Sequence, residues 1–383
     1  MRKLQSILMI SLMLMFSVLH LTWAAEGPEI TAQSALLMDF TTGRILYQKD
    51  AYAQASPAST TKILTALVAL ERGDLQQKIT VSGTASKTEG SSIYLYEGET
   101  HTLEELLYGV LLSSGNDAAL AVAEGLAGNE ARFSEWMNEK ARSLGALSSS
   151  FKNCNGLPKE GHYTTAYDLA LITRYALNNP VFDSIVKTKK KGILWPGRDH
   201  DKILFNHNKL LWCYRYADGV KTGYTREAGK CLVASATKNG HRLIAVVFNS
   251  KLMYDDSRRL FDYGFAKYQL INLVSSRENL GSIDVVSGIK TQVPVLPSRP
   301  LTMLFPKGME KRIKVALEMR KFIEAPVERM QHVGEIQVKL GNEILDRVAV
   351  VAAENVPRKS FLRKILDWVK GIFSPIYILT STG

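Results

Sequence analysis

A serine hydroxyl attacks a carbonyl only when a nearby base takes its proton. A lysine three residues further along a helix shares the serine's face and can bring an amine to that hydroxyl. The chain of 383 residues holds this Ser-x-x-Lys spacing at Ser59/Lys62, Ser149/Lys152, Ser184/Lys187 and Ser235/Lys238. The spacing alone selects none of the four; solvated surface residues would produce it equally well. Context selects one. Ser59 stands just ahead of Ile63, Leu64, Leu67, Val68 and Leu70, whose helical period predicts a buried helix ending at Gly73. At the start of such a helix, free backbone N–H groups can face a developing oxyanion. A lysine in that first turn opposes the helix dipole, a local inconsistency that points to function rather than stability.

Two further triplets follow in order. Ser114-Gly115-Asn116 lies between two apolar helical patterns and offers a hydroxyl and an amide on a tight loop. By itself it reads as a helix-capping turn. Lys221-Thr222-Gly223 enters a predicted strand and offers a cation, a hydroxyl and a residue without a side chain. Such a group can hold a carboxylate against a sheet edge, although by itself it is an ordinary edge-strand turn. Their joint occurrence behind Ser59 and Lys62 makes coincidence a poor account of the set.

The set resembles the active-serine penicillin-binding proteins and β-lactamases. The flanking residues Pro57-Ala58-Ser59-Thr60-Thr61-Lys62, Thr165-Ala166-Tyr167-Asp168-Leu169-Ala170 and Asp218-Gly219-Val220-Lys221-Thr222-Gly223-Tyr224-Thr225 are similar to the D-alanyl-D-alanine carboxypeptidase family of low-molecular-mass penicillin-binding proteins. The resemblance implies a serine-type carboxypeptidase that needs no cofactor or metal, acts on peptidoglycan stem peptides ending in D-Ala-D-Ala, and is acylated by β-lactams. It implies that Ser59 is the nucleophile, Lys62 its base and Ser114 a proton shuttle to the leaving amine. Asn116 would orient Lys62 and bind the substrate amide, Lys221 would supply positive potential, and Thr222 would hold the terminal carboxylate. Gly223 belongs to the same binding wall. The oxyanion would rest on the backbone N–H groups of Ser59 and Tyr224. The base role requires Lys62 to have a lowered pKa from desolvation and nearby cations. Some relatives carry histidine where Tyr224 stands, which matters little for a backbone role. The segment Asn153-Cys154-Asn155-Gly156-Leu157 departs from the family pattern, and no role is assigned to it from sequence. No glutamate-containing loop with class A β-lactamase spacing is visible, so slow release after penicillin acylation is expected. A β-lactamase or serine esterase on the same fold, or a non-catalytic penicillin-binding envelope protein, are the alternative readings.

The elements that must position these residues follow from periodicity. Residues 32–38 and 44–48 alternate around Asp39-Phe40-Thr41-Thr42-Gly43 as a β-hairpin. Helices are expected at about 102–112, 118–126, 132–144, 166–177 and 255–268, and strands at 228–236 and 242–249 around the turn Lys238-Asn239-Gly240. Strands from both ends of one block, with helices between, predict an α+β domain of two or three layers. With the resemblance this becomes a β-lactamase/transpeptidase-like domain: an antiparallel sheet flanked by helices, with a helical subdomain. Beyond about Ser275, short strand-like runs divided by proline and glycine suggest a small all-β module. The expected organisation is a signal peptide (1–24), a serine D,D-peptidase domain (26–270), a C-terminal β-rich domain (275–356) and an amphipathic membrane-anchoring tail (357–383).

Composition bounds the setting. Hydrophobic residues make up 46% of the chain, enough for two cores, and the net charge is +11. The cations are scattered apart from Lys187–Lys191 and the tail, with no zinc-finger spacing or ribonucleoprotein signature, so nucleic acid is not the expected partner. Arg2 and Lys3, the apolar run Ile7–Leu19 and Thr22-Trp23-Ala24 form a three-part secretory signal cleaved after Ala24. The protein is thus expected at the outer face of the cytoplasmic membrane, which is the periplasm where an outer membrane exists. Cys154, Cys213 and Cys231 form neither a disulfide framework nor a metal spacing and read as small buried thiols. In the tail, Phe361, Leu362, Ile365, Leu366, Trp368, Val369, Ile372 and Phe373 fall on one helical stripe, flanked by five basic residues. That pattern suits a helix lying on the membrane surface.

Overall fold

The computed structural model describes residues 27–361 and 365. The signal segment and most of the tail lie outside the described residues. Two compact units divide at Gly264/Phe265.

The first unit is organised by a five-stranded sheet: β1 (Ser34–Asp39), β2 (Ile45–Lys49), β3 (Ala217–Thr225), β4 (Gly229–Lys238) and β5 (His241–Phe248). Its spatial order is β2-β1-β5-β4-β3, antiparallel throughout. The expected pairing of the block's two ends is present, since β1 runs beside β5 with Leu36 opposite Val246. Asn239 and Gly240 both have positive φ (52° and 77°), the geometry a tight hairpin turn needs between β4 and β5. One strand had no sequence forecast. Lys221-Thr222-Gly223 does not enter a strand; it lies inside β3, at the sheet's edge.

Helices α1 (Lys62–Arg72), α2 (Leu103–Leu111), α3 (Asn116–Ala127), α4 (Glu130–Ser143), α5 (Ala166–Ala176) and α6 (Pro180–Lys187) fill the segment between β2 and β3. Helix α1 is their centre: every residue from Lys62 to Ala69 is buried, because α2, α3, α4 and α5 surround it. An all-round apolar helix requires such a setting. Thr102 and Glu105 close a capping box on α2, which fixes where that helix starts. On the opposite sheet face lies α7 (Met253–Lys267), where a Cβ on Gly264 would come within 2.6 Å of Leu243 and 2.9 Å of Leu37. The layers are therefore three.

The second unit is all-β. Strands β6 (Tyr268–Val274), β7 (Ser282–Val286), β8 (Gln292–Pro297), β9 (Leu301–Pro306), β10 (Ile313–Met319), β11 (Phe322–Glu324), β12 (His332–Leu340) and β13 (Glu343–Ala352) form a six-stranded sheet, β10-β12-β13-β8-β7-β11, and a β6-β9 pair. Its core is mainly valine and isoleucine, including Val293, Val295, Ile336, Val338, Val348 and Val350. Among the described residues, no helix is long and apolar enough to cross a membrane.

Candidate active site

Residues Ala58–Thr61 form one 3-10 turn that runs directly into α1. Ser59 lies in the first positions of that turn, where a backbone N–H has no intrahelical acceptor. Its side chain is partly exposed, whereas Lys62 one turn later is wholly buried. The Lys62 Nζ lies 3.1 Å from Ser59 Oγ and donates to Asn116 Oδ1 and to the carbonyl of Asn155, each at 2.6 Å. Both of those partners are acceptors only, so they occupy two N–H groups of a neutral amine and leave its lone pair facing the Ser59 hydroxyl. Burial lowers the Lys62 pKa to about 7, against weaker opposing influence from Cys154 and Asp117. Sequence reasoning expected desolvation and nearby cations to produce this shift. Desolvation is the lowering influence on Lys62, and the cation–cation repulsion shows on Lys221, whose pKa is held well below the usual lysine range by burial and then by Lys62.

The Ser114-Gly115-Asn116 loop meets this pair from the junction of α2 and α3. Asn116 is the first residue of α3, and its Nδ2 donates to Glu89 O at 2.6 Å. That bond leaves Oδ1 turned toward Lys62. Ser114 is buried and adopts φ +63°, a conformation that costs a non-glycine residue about 1 kcal/mol or more. Edge strand β3 forms the facing wall. Lys221 and Gly223 share one face of it, and a Cβ on Gly223 would stand 3.0 Å from Pro57 O and 3.1 Å from the Ser59 and Thr60 nitrogens. Glycine therefore lets β3 close on the backbone of the serine turn. Asp218 braces the strand from behind, accepting from Ser235 Oγ (2.6 Å), Thr237 Oγ1 (2.5 Å) and Arg242 (3.2 Å). Between these walls is a cleft of about 260 Å³ lined by Ser59, Ser91, Ser114, His207, Thr222, Gly223 and Tyr224, with Met253 and Tyr254 closing one side. All eight residues singled out from sequence thus meet in one place: Ser59, Ser114, Thr222, Gly223 and Tyr224 line the cleft, while Lys62, Asn116 and Lys221 stand buried behind it.

Comparison with known proteins gives the arrangement a family. Residues 22–252 match the family described as D-alanyl-D-alanine carboxypeptidase, and residues 268–358 match the penicillin-binding protein 5 C-terminal domain. The chain belongs to the D-alanyl-D-alanine carboxypeptidase family. It is 34% identical to the D-alanyl-D-alanine carboxypeptidase DacF of Bacillus subtilis, over 97% of this chain and 100% of that one. It is 31% identical to the carboxypeptidase DacC of Escherichia coli, over 90% and 89%. Penicillin-binding protein 5 of Haemophilus influenzae superposes with a TM-score of 0.72 at 28% identity, covering 86% of this chain and 99% of the other. Like its family, the protein is a serine peptidase and a hydrolase, with a transpeptidase-like domain followed by an all-β domain.

Several residues of this carboxypeptidase site escaped the sequence. The Asn153–Leu157 segment, given no role, supplies the Asn155 carbonyl to Lys62. It also carries Gly156, whose φ is +87° and where a Cβ would collide with Ala58 O at 1.9 Å. Cys154 O accepts from Thr65 Oγ1 on α1 at 2.6 Å, tying the same segment to the helix. Asp117, next to Asn116, accepts from Ile93 N, Leu95 N and Ser92 Oγ and so holds the 91–95 loop at the cleft rim. His162 receives Lys152 N–H at Nδ1, so Nε2 carries its hydrogen and donates to Thr61 Oγ1 at 3.0 Å; burial lowers its pKa to about 4. The other Ser-x-x-Lys pairs are inert by geometry. Ser149 bonds Asp168, Ser235 bonds Asp218, and Lys187 is paired with Asp183. Cys213 corrects one expectation, since it is exposed; Cys154 and Cys231 are buried, and all three are free thiols. Among the described residues, no group of His, Cys, Asp and Glu could hold a metal ion.

Proposed function

We propose that the protein is an exported enzyme that removes the terminal D-alanine from peptidoglycan stem peptides, and that Ser59, Lys62, Ser114, Asn116, Lys221, Thr222, Gly223 and Tyr224 are its working residues. The observation that carries the reading is the wholly buried Lys62 amine held between two acceptors with Ser59 Oγ at 3.1 Å. Neutral Lys62 takes the hydroxyl proton as Ser59 Oγ bonds to the carbonyl carbon of the penultimate D-alanine. The oxyanion rests on the N–H groups of Ser59 and Tyr224. As the C–N bond breaks, the proton passes from Lys62 through Ser114 to the departing amine. Thr222 binds the terminal carboxylate, while Lys221 behind it contributes potential. Water then attacks the ester, Lys62 again accepts the proton, and Ser59 returns to its hydroxyl form.

β-Lactams acylate the same serine in this reading. Among the described residues no carboxylate lines the cleft, which favours slow deacylation over penicillin turnover. Labelled penicillin should add its mass to the Ser59 peptide, and Ser59→Ala should abolish D-alanine release. Release that persists in that variant would sink the assignment. Export rests on residues 1–24 and is tested by sequencing the mature N-terminus, expected at Ala25. Peripheral attachment rests on the apolar stripe and five cations of the tail. Truncation after Pro357 should free the active enzyme from washed membranes; a truncated form that still sediments with them argues for another attachment.

A further inference from the structure

The six-stranded sheet of the second unit has edges of unequal length. Strand β11 closes one with three residues, whereas β10 runs along the other with seven, Ile313–Met319. Among the described residues β10 pairs with β12 alone, from Ile313 opposite Leu340 to Met319 opposite Gly334 with no shift of register. Arg320 N donates to Val333 O at 3.0 Å, in step with that register. By antiparallel alternation the even-numbered residues turn their N–H and C=O groups to β12, and Ile313, Val315, Leu317 and Met319 turn theirs away. Neither proline nor a bulge guards this edge; the strand's only charges are Lys314 and Glu318. Val315 is 47% exposed and Leu317 42%, on the face shared with buried Val338 and Ile336. The apolar stripe of the core thus runs out into solvent along an unpaired backbone.

The two charges are set against their own sheet. Lys314 stands opposite Lys339 and Glu318 opposite Glu335, and like charges directly opposite destabilise a strand pair. Lys339 leans across to Glu318 at 3.8 Å and Glu335 to Arg347 at 3.5 Å, while Lys314 is left without an ion pair among the described residues. Residues 313–319 read as their own complement about Ala316. A second copy laid antiparallel on this edge, with the two-fold axis at Ala316, sets Lys314 of each chain opposite Glu318 of the other. It also sets Val315 opposite Leu317 and Ile313 opposite Met319. Those are the residues whose backbone groups face outward, so each such pair exchanges both hydrogen bonds. The lysine–glutamate pairs fall at the closely spaced positions between them, where cross-strand side chains interact most strongly. The axis itself falls on alanine, small enough for close approach.

We propose that β10 is a self-recognition edge, on which a second copy of this chain docks across a two-fold axis at Ala316 and joins the two sheets into one. The test uses the full chain in detergent solution. Ala316→Cys, in a Cys213→Ser background that removes the exposed thiol, should form a disulfide-linked dimer under mild oxidant about tenfold faster than Ser282→Cys, an exposed control in the same unit. By sedimentation, Lys314→Glu and Glu318→Lys should each weaken self-association by about tenfold, since each sets like charges together at both ends of the pairing. The variant carrying both exchanges, and an equimolar mixture of the two single variants, should each recover association to within about threefold of wild type. D-Alanine release should be unchanged throughout. A wild type that stays monomeric at about 100 µM, or single reversals without effect, would overturn the proposal. So would Ser282→Cys linking as fast as Ala316→Cys, or Val315→Cys linking faster, which marks a pairing shifted by one residue. A monomer whose outward β10 amides resist hydrogen exchange gives the edge to another segment of the chain and overturns it as well.

Discussion

The two units bury different things. The second unit hides an apolar core in which Gln337 is the one buried polar residue among those described. The first unit buries Asp39, Lys62, Asp117, Asp168, Lys221 and Asp256, two of them lysines whose charged form burial disfavours, with Lys62 adding to the depression of Lys221. Buried charge is costly unless it is paired, and an all-β core of valines shows that this chain can fold without any. Asp39, Asp168 and Asp256 are paired by hydrogen bonds away from the cleft, whereas Lys62, Asp117 and Lys221 are buried at it, where the site's chemistry requires them. The second unit is built for stability, and the first surrenders some stability to hold an amine neutral.

That contrast can be broken most severely at the nucleophile. Ser59→Ala should lower D-alanine release by about 10⁴-fold or more, as removal of a covalent nucleophile does. Because Ser59 is only partly buried, thermal unfolding should barely move. Removing the base tests the buried charge itself. Lys62→Met should slow acylation by about 10²- to 10⁴-fold. In the wild type, the amine is active when neutral, so acylation should rise with pH through about 7 and level off above it. The stability sign is the same. The unfolded chain binds a proton at Lys62 up to the ordinary lysine pKa, so between about 7 and that value folding should strengthen as pH rises. Stopped-flow acylation and chemical unfolding across pH check the two limbs; a flat acylation profile would remove Lys62 from the base role.

A smaller effect is expected where the walls meet. Gly223→Ala places a methyl 3.1 Å from Ser59 N, so the serine turn must shift by a few tenths of an ångström. Penicillin acylation should fall by about 10- to 100-fold, because misplacing an oxyanion donor has that scale of consequence. The second unit should behave in reverse. Val350→Ala, at a fully buried position, should destabilise by about 1–3 kcal/mol while kcat/KM is unchanged. Smallest of all is the thiol contrast. Cys213 should react with a thiol reagent in the native protein, whereas Cys154 and Cys231 should react only on unfolding. Cys213→Ser should alter neither activity nor stability.

Much of the fold was legible because its signals are local. The helical period from Ile63 to Leu70 ends at Gly73 in the structure as in the sequence, and Thr102 with Glu105 starts α2. The β4–β5 hairpin follows from Asn239-Gly240. Strand β3 was missed, since Asp218-Gly219 within it carries the signature of a turn and Val220-Lys221-Thr222-Gly223 has no clear alternation. It exists because β4 pairs with it, Lys221 against Val233 and Gly223 against Cys231. Helix α6 and the short ribbon at Lys190–Ile193 and Lys202–Phe205 were missed for a related reason, being too short for periodicity to show.

By itself the sequence determined the reactive inventory: a serine and lysine one turn apart, and two triplets of fixed order that complete them. Residue type sets chemical capacity, and helical spacing sets which neighbours share a face; both are one-dimensional facts. Tertiary structure decided the protonation state and the third partner. The Lys62 pKa of about 7 arises from complete burial under segments distant in sequence. The Asn155 carbonyl that completes its coordination is a backbone group whose side-chain identity carries no sign of the role. Desolvation and backbone contacts depend on what the rest of the chain excludes from a point in space, and no local pattern encodes that.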